Sequence, residues 1–243
     1  MPRFFVNPAV IGKTHISLDA ETLSHIRVLR LGPEEPFVVC DGAGLDYRCI
    51  LTESKAQIIA VEPNLAEPSL ECTVYLALTK GDRLEYAVQK SVELGAFAFR
   101  LFPAQRSVVR YEEQGLEKRR LRLSRIAQEA AKQSGRGRIP VVEMVPDSHQ
   151  ALQAAANADL PLFFHEKEGQ QNLYQVADQN PNAKTASFVI GPEGGFSEEE
   201  AANARARGLC TVSLGKRILR SETAPVAALA AILLVHREKR SDL

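Results

Sequence analysis

From residue 71 onward, short apolar segments alternate with longer amphipathic ones, and this alternation constrains the fold more than any other feature of the chain. The predicted strands lie at residues 73–78, 97–102, 141–144, 160–165, 186–190 and 211–214, and the predicted helices lie at 83–94, 116–133, 150–156, 172–177, 198–207 and 223–238. Strands that alternate with helices pair in parallel, and the helices cover both faces of their sheet. The pattern therefore predicts an α/β domain with a mainly parallel sheet.

The first 70 residues follow a different pattern. Short apolar or β-branched segments occur at 4–6, 36–40, 47–51 and 58–61, and turn residues such as Asp41-Gly-Ala-Gly44 separate them. One helix is predicted over residues 20–30, with Asp19 as its N-cap. Residues 62–69 contain two prolines and show no periodicity, which is typical of a linker. We therefore expect two domains, a β-rich one at 1–70 and an α/β one at 71–243.

The region between Lys80 and Arg138 is basic although the whole chain is neutral. The full chain has 30 Lys and Arg against 30 Asp and Glu, whereas this region has 14 against 7. Affinity for phosphates depends on a local basic surface rather than on the net charge. A polyanionic partner such as RNA is therefore compatible with the composition.

Basic residues are expected to share one face of the helix predicted at 116–133. At about 100° per residue, Lys118, Arg122, Arg125 and Lys132 fall close to one line, and the residues that lie opposite are Leu116, Leu123, Ala127 and Ala130. One face would then pack and the other would meet phosphate, and Arg136 and Arg138 in the flexible, Gly-rich stretch that follows would extend it. The alternative is a solvated basic face with no partner.

Several functional classes find no support in the sequence. The N-terminal residues lack the pattern of a signal or transit peptide, and the longest uncharged apolar run, 224–235, is about half of the roughly 20 residues that span a bilayer. We expect a cytoplasmic protein without a membrane segment. The cysteines and histidines show no ligand spacing, so no metal is predicted and the thiols are expected to be reduced. No nucleophile elbow or Cys/His signature indicates a hydrolase.

A glycine-rich turn follows the strand predicted at 186–190. Gly191, Gly194 and Gly195 permit positive φ and close backbone approach, Pro192 stiffens the turn, and the capping box Ser197…Glu200 opens the next helix. The turn lacks the lysine of a phosphate loop, so it is suited to a flat polar ligand rather than to a nucleoside triphosphate. The alternative is a tight turn with an ordinary helix cap.

A second loop, at residues 214–225, also follows a predicted strand and leads into a helix. Two loops of this kind can line one pocket. The second loop offers Ile218 and Leu219 to sandwich an aromatic ring, and Arg220 as a fixed cation. Carboxylates are available at Glu193 in the first loop and Glu222 in the second.

The two loops resemble signature segments of the RsmE-type 16S ribosomal RNA uridine-N3 methyltransferases of the SPOUT superfamily. The segments are Gly191-Pro-Glu-Gly-Gly and Leu214-Gly-Lys-Arg-Ile-Leu-Arg-Ser-Glu-Thr-Ala. Further segments are similar to the family's in the same order, namely Arg3-Phe-Phe-Val, His25-Ile-Arg-Val-Leu-Arg30, Lys90-Ser-Val-Glu-Leu-Gly95 and Glu129-Ala-Ala-Lys-Gln-Ser-Gly-Arg136. The resemblance therefore covers nearly the whole chain and is more specific than either loop alone.

The resemblance implies an N-terminal PUA-like β-barrel and a C-terminal SPOUT-type α/β domain with a trefoil knot within residues 160–240. It also implies a homodimer built largely on the knot helices, S-adenosylmethionine as the cofactor, and ribosomal RNA, within the small ribosomal subunit, as the partner. The apolar helix at 224–235 is compatible with a dimer face and equally with an ordinary core helix.

The same resemblance assigns residues to roles. The cofactor pocket is expected to contain His165, Glu166, Gly191, Pro192, Glu193, Gly194, Gly195, Leu214, Gly215, Ile218, Leu219 and Arg220. The candidate RNA contacts are Arg3, Arg27, Arg30, Lys90, Arg106, Arg122, Arg125 and Arg136.

The chemistry of the implied reaction narrows the catalytic candidates. N3 of uridine carries a proton that must leave before or during methyl transfer, so a cation near the base carbonyls and a proton acceptor are needed. Arg220 is the predicted cation, and Glu222 or Glu193 is the predicted acceptor. A carboxylate near a helix start is more often only a partner of the helix dipole, and deprotonation by solvent is the alternative.

Two other functions stay open at this point. One is a SPOUT methyltransferase that acts on transfer RNA or on a ribose 2′-hydroxyl, and the Arg3-Phe-Phe-Val start and the N-terminal barrel argue against it. The other is an RNA-binding ribosome assembly factor without catalysis, against which the complete glycine loops argue. Calorimetry with S-adenosylmethionine separates the assembly factor from either kind of methyltransferase, because a pure binding module gives no saturable heat.

Overall fold

The chain folds into two compact units in the computed structural model, which describes residues 1–107, 112–165 and 172–237. The first unit consists of Met1–Glu67 together with Ala131–Ile139. The second consists of Pro68–Ala130 and the described residues from Pro140 onward. A short segment from the middle of the sequence thus belongs to the N-terminal unit.

The first unit is built on a five-stranded sheet. Its strands are β1 (Arg3–Phe5), β2 (His15–Ser17), β3 (Phe37–Cys40), β4 (Leu45–Thr52) and β5 (Lys55–Pro63), in the order β1-β3-β4-β5-β2. The β1–β3 pair is parallel and the other pairs are antiparallel. Strand β2 was not predicted, since it has three residues and only Ile16 among them is buried. Strand β5 also continues to Pro63, into the segment predicted as a linker.

Helix α1 (Ala20–Val28) begins as the sequence predicts and ends two residues early. The Asp19 carboxylate accepts a hydrogen bond of 2.8 Å from the backbone N–H of Thr22, which is the expected N-cap. Arg30, the predicted last residue, has a φ of +54° and cannot continue a right-handed helix. The helix buries Ile26 in the core of this unit, where the ring of Phe4 lies edge-on against Phe37.

Residues 134–138, predicted to be flexible and to bind RNA, are folded into the first unit around Glu67. One Glu67 oxygen accepts hydrogen bonds from the backbone N–H groups of Gly137 (3.1 Å) and Arg138 (3.0 Å), and the other lies 2.7 Å from the Arg136 guanidinium. Arg136 is only 2% exposed. The assignment of Arg136 as an RNA contact is therefore wrong, because a buried guanidinium held by a carboxylate cannot reach a phosphate.

The second unit contains a six-stranded sheet in which every pair is parallel, as the sequence predicts. The strands are β6 (Glu71–Ala77), β7 (Ala98–Phe102), β8 (Val141–Met144), β9 (Leu160–Phe164), β10 (Thr185–Ile190) and β11 (Cys210–Val212), in the order β11-β9-β10-β6-β7-β8. The helices are α2 (Arg83–Leu94), α3 (Glu113–Gln133), α4 (Ser148–Ala155), α5 (Leu173–Gln179), α6 (Glu198–Ala206) and α7 (Thr223–Arg237).

Helices flank the sheet of the second unit. Helices α4 and α6 pack together with the side of the sheet that carries Phe163 and Val189, while α2 and α5 pack against α7. Central strand β10 is buried at every residue except Thr185, as expected for a strand covered on both faces. The carboxyl ends of β6, β9, β10 and β11 share one edge, and this edge positions the site described below.

Helix α7 is apolar along most of its length. It buries Ala228, Leu229, Ile232 and Val235, whereas Leu234 is 56% exposed. None of the described helices combines the length and the apolar composition needed to cross a bilayer.

Three of the four cysteines are buried as free thiols. Burial raises the pKa of Cys40 and of Cys72 to about 12 and that of Cys49 to about 11. These thiols are therefore protonated near neutral pH, which makes them poor nucleophiles and poor metal ligands.

Candidate functional site

The carboxyl edge of the parallel sheet opens onto a cavity of about 380 Å³. The loops after β9, β10 and β11 and the start of α2 provide its walls. Of the predicted cofactor residues, those that line it are His165, Gly191, Pro192, Glu193, Gly195, Leu214, Gly215, Ile218, Leu219 and Arg220. Gly194 lies in the same loop, and Glu166 lies outside the described residues. The structure thus brings the two glycine loops together on one cavity.

The first loop is held tightly between β10 and α6. The predicted capping box is present, because Ser197 Oγ accepts from the Glu200 N–H (3.1 Å) and a Glu200 carboxylate oxygen accepts from the Ser197 N–H (3.0 Å). Gly195 has a φ of +65°, which favours glycine. A Cβ atom on Gly191 would lie 3.1 Å from the Phe196 ring. A side chain at Gly191 would therefore press on Phe196, and one at Gly195 would strain the backbone.

The second loop leads into α7 and exposes apolar side chains. The backbone N–H groups of Thr223 and Ala224 both donate to the Arg220 carbonyl oxygen at 2.9 Å, which starts the helix. Gly215 has a φ of +99°, and its N–H donates to Ser213 Oγ at 3.1 Å. Ile218 is 81% exposed although it lines the cavity. An apolar ligand surface would cover this side chain.

The third wall comes from the end of β9. The backbone N–H of His165 donates to the Val212 carbonyl oxygen at 3.1 Å, and its ring stacks on Phe163 with 6.0 Å between ring centroids. His165, which the resemblance assigns to the cofactor pocket, is buried and lines the cavity.

Arg83, which the sequence reasoning missed, connects the two loops. Its guanidinium lies 2.8 Å from a Glu193 carboxylate oxygen and 3.9 Å from a Glu222 oxygen, and Arg220 lies 4.0 Å from the other Glu222 oxygen. Arg83 begins α2 directly after β6, and β6 lies beside β10. The signal that could have identified Arg83 is strand order, because residues that follow β6 lie near the loop that follows its neighbour β10.

The predicted carboxylate acceptors are not placed as free bases. Glu193 lines the cavity, but its carboxylate is engaged by Arg83. Glu222 is not among the residues that line the cavity, and Ser221 Oγ also donates to it at 3.3 Å. These pairings hold the two loops to α2 rather than present a base to a ligand.

The predicted RNA contacts on α2 and α3 differ in their surroundings. On the predicted packing face of α3, Leu123, Ala127 and Ala130 are buried and Leu116 is half-buried. Arg125 is exposed on the other face, whereas Arg122 forms an ion pair of 2.8 Å with Glu85 of α2. Lys90 likewise pairs with Glu93 at 2.8 Å.

The predicted RNA contacts of the first unit also fall into two groups. Arg27 and Arg30 are exposed. Arg3 lies 2.6 Å from the Asp46 carboxylate, and its side chain is largely buried, so it chiefly stabilises the sheet.

Arg106, in the second unit, lines the cavity described above.

Comparison with known proteins agrees with this architecture. Residues 66–233 match a family model described as an RNA methyltransferase domain, and residues 18–62 match one described as an RNA methyltransferase PUA domain. The fold and the cavity thus define an RNA methyltransferase with an N-terminal PUA domain.

One relative identifies the family within this class of RNA methyltransferases. The ribosomal RNA small subunit methyltransferase E of Bacillus subtilis is 36% identical over 226 residues, which cover 89% of this chain and 88% of that protein. The chain belongs to this ribosomal RNA small subunit methyltransferase E family.

Two solved structures share the fold over nearly their whole length. The Neisseria gonorrhoeae member of the family, solved bound to S-adenosyl methionine, has a TM-score of 0.83 and 32% identity, covering 97% of this chain and 98% of its own. A protein from Legionella pneumophila, solved in complex with the bound cofactor SAM, has a TM-score of 0.79 and 26% identity, covering 96% of each chain.

Proposed function

We propose that this chain uses S-adenosylmethionine to methylate N3 of a uridine in 16S ribosomal RNA. The observation that carries the proposal is that both glycine loops and the end of β9 meet on one cavity at the carboxyl edge of the sheet. Family membership supports methyl transfer to small-subunit ribosomal RNA, and the Neisseria gonorrhoeae relative binds this cofactor.

The residues of the cavity fit the cofactor. Gly191 has no side chain to press on Phe196, which also lines the cavity. Ile218 and Leu219 offer apolar surface to an adenine ring. Backbone N–H and C=O groups of the loops are suited to the polar edge of such a ring. When bound, S-adenosylmethionine supplies an electrophilic methyl group on its sulfonium.

The catalytic proposal centres on Arg220. Its side chain is 81% exposed and lines the cavity, so a base can approach it. A guanidinium beside the uracil carbonyl oxygens stabilises the negative charge that develops as N3 loses its proton. Because Glu193 is engaged by Arg83 and Glu222 lies off the cavity wall, we propose that water takes the proton.

The wider assembly is part of the same proposal. Helices α2, α5 and α7 pack together and expose apolar side chains, among them Leu94, Tyr174 and Leu234, which supports a homodimer through this group of helices. The trefoil knot within residues 160–240 stays a prediction. The first unit is proposed to bind RNA through Arg27 and Arg30, and a ribosomal RNA substrate supports the predicted cytoplasmic location.

The proposed function is tested by mass spectrometry of 16S ribosomal RNA from cells with and without this protein. We expect one N3-methyluridine to be absent in the deletion strain and restored by the wild-type chain. A modification that disappears from transfer RNA, or a lost ribose methyl group, would contradict the assignment. Calorimetry with S-adenosylmethionine that shows no saturable heat would reject methyl transfer altogether.

Replacing Gly191 by alanine is expected to weaken S-adenosylmethionine binding about tenfold, because relieving an overpacked contact with Phe196, which costs roughly 1–3 kcal/mol, would shift the loop that lines the cavity. The added Cβ would lie 3.1 Å from the ring of Phe196, which is buried and packs on Phe163 with 4.5 Å between centroids. Calorimetry measures the effect, and Gly32→Ala is the control because nothing lies within 4 Å of its new Cβ. Equal S-adenosylmethionine affinity in both variants would show that the first loop accommodates a Cβ at residue 191 without loss of binding.

Replacing Arg122 and Arg125 together is expected to weaken RNA binding and to flatten its salt dependence, with Arg125 responsible for most of the effect. Both side chains are exposed, but Arg122 is already paired with Glu85. Losing one phosphate contact lowers the slope of log K against log salt by about 0.9 for a duplex. Filter binding of each single alanine variant separates the two contributions, and a larger slope change for Arg122 would refute this ranking.

A further inference from the structure

The cavity carries more guanidinium groups than S-adenosylmethionine requires. Among the described residues, four arginines line it (Arg83, Arg106, Arg217 and Arg220), against the carboxylates of Glu193 and Glu198. The cofactor itself has one carboxylate, one ammonium and one sulfonium, and is a net cation. A surplus of positive charge would repel it, but suits the phosphates of an RNA strand.

Arg106 is held at the cavity by its neighbours in the chain. The backbone N–H of Gln105 donates to a Glu200 carboxylate oxygen at 3.0 Å, and the Gln105 side-chain amide donates to Glu199 at 2.9 Å. A tight turn closes around Arg106, because the Ser107 N–H donates to the Ala104 carbonyl oxygen at 3.0 Å. The turn at 104–107 is thus fixed to the first turn of α6.

Arg106 also packs over the first glycine loop. A Cβ on Gly194 would lie 3.2 Å from the Arg106 Cβ, so a larger residue there would press on Arg106. One guanidinium nitrogen of Arg106 donates to the Gly194 carbonyl oxygen at 3.3 Å. A guanidinium has five N–H donors, and this single long bond leaves donors for a ligand.

The Glu200 carboxylate joins the capping box of α6 to the turn that carries Arg106. It is 3% exposed, and its two oxygens accept one bond from the capping-box N–H of Ser197 and one from the N–H of Gln105. A capping box alone uses only one of these oxygens. The second oxygen therefore serves the turn that carries Arg106.

We propose that Arg106, positioned by Glu200, binds a phosphate of the RNA strand at the mouth of the cavity, beside the nucleotide that is methylated. This inference rests on the proposed function, since it places the RNA backbone next to the cofactor site. Arg106 contacts the RNA, whereas Glu200 acts through Arg106 and is a positioning residue.

The first experiment replaces Arg106 by glutamine in the full-length chain and measures binding to transcribed 16S ribosomal RNA between 50 and 200 mM salt. Loss of one charge-assisted contact is expected to weaken RNA binding about tenfold and to lower the salt slope by about 0.7–0.9. Lys184→Gln is the matched control, because it removes one exposed charge next to the amino end of β10, whereas the cavity lies at the carboxyl end. An unchanged salt slope in Arg106→Gln overturns the proposal.

The second experiment tests Glu200 by a double-mutant cycle. Glutamine at position 200 keeps one oxygen for the capping box but has none left for the Gln105 N–H. Glu200→Gln is therefore expected to lower the salt slope, and combining it with Arg106→Gln should add nothing further. Additive effects would overturn the positioning role. Arg106 is exposed, so its variant keeps the proposal testable even if Glu200→Gln fails to fold.

If the chain is not a methyltransferase, the experiments give a different result. In that case the wild-type chain shows no saturable heat with S-adenosylmethionine and transfers no methyl group, whatever the salt slopes are. If the wild type methylates RNA and Arg106→Gln binds RNA as the wild type does, only the phosphate contact is refuted.

Discussion

Replacement of Arg220 by alanine is expected to lower the single-turnover rate of methyl transfer by roughly 10²- to 10³-fold, the range seen when one donor to a developing anion is removed. The side chain is highly exposed, so its loss leaves the fold nearly unchanged. Rapid-quench measurement with saturating S-adenosylmethionine and RNA isolates the chemical step from binding.

Lys216→Ala is the control for Arg220→Ala. It removes one exposed charge from the same loop at a residue that does not line the cavity. The control should react at the wild-type rate. If Arg220→Ala also reacts at that rate, Arg220 does not stabilise the uracil anion.

Replacement of Glu67 by glutamine is expected to destabilise the first unit by about 3–5 kcal/mol, the usual cost of breaking a buried ion pair by removing one partner. The Arg136 side chain is almost fully buried and would lose its carboxylate partner, and the N–H groups of Gly137 and Arg138 would compete for one oxygen. Urea unfolding followed by circular dichroism measures the change.

Glu62→Gln serves as the reference for Glu67→Gln, since Glu62 is exposed on β5. Its effect should stay within about 0.5 kcal/mol, as for most surface substitutions. A Glu67 variant as stable as this reference would mean that the cluster around Arg136 contributes little to stability.

The secondary structure was largely predictable because local signals agree with tertiary ones. Helix α2 and strand β8 have the predicted bounds, and Asp19 and Ser197 cap the helices they were expected to cap. Strand β2 was missed because its three residues depend on pairing with β5 rather than on their own pattern. Local propensity decides long periodic elements and fails for short ones.

The site was predictable where it is made of loops and not where it depends on distant partners. The two glycine loops could be paired because both follow parallel strands. Arg83 is 110 residues from Glu193, so their ion pair depends on strand order, which no local pattern reveals. Arg136 was misassigned for the same reason, since its partner Glu67 lies 69 residues away.

The division of the first unit between two stretches of chain affects the order in which it can fold during synthesis. Its last strand ends at Pro63, yet Ala131–Ile139 completes the unit. Domains made of one continuous stretch can fold once that stretch has emerged from the ribosome. Here the first unit cannot be completed until residue 139 has been made, which is after β6, α2, β7 and α3 have been synthesised.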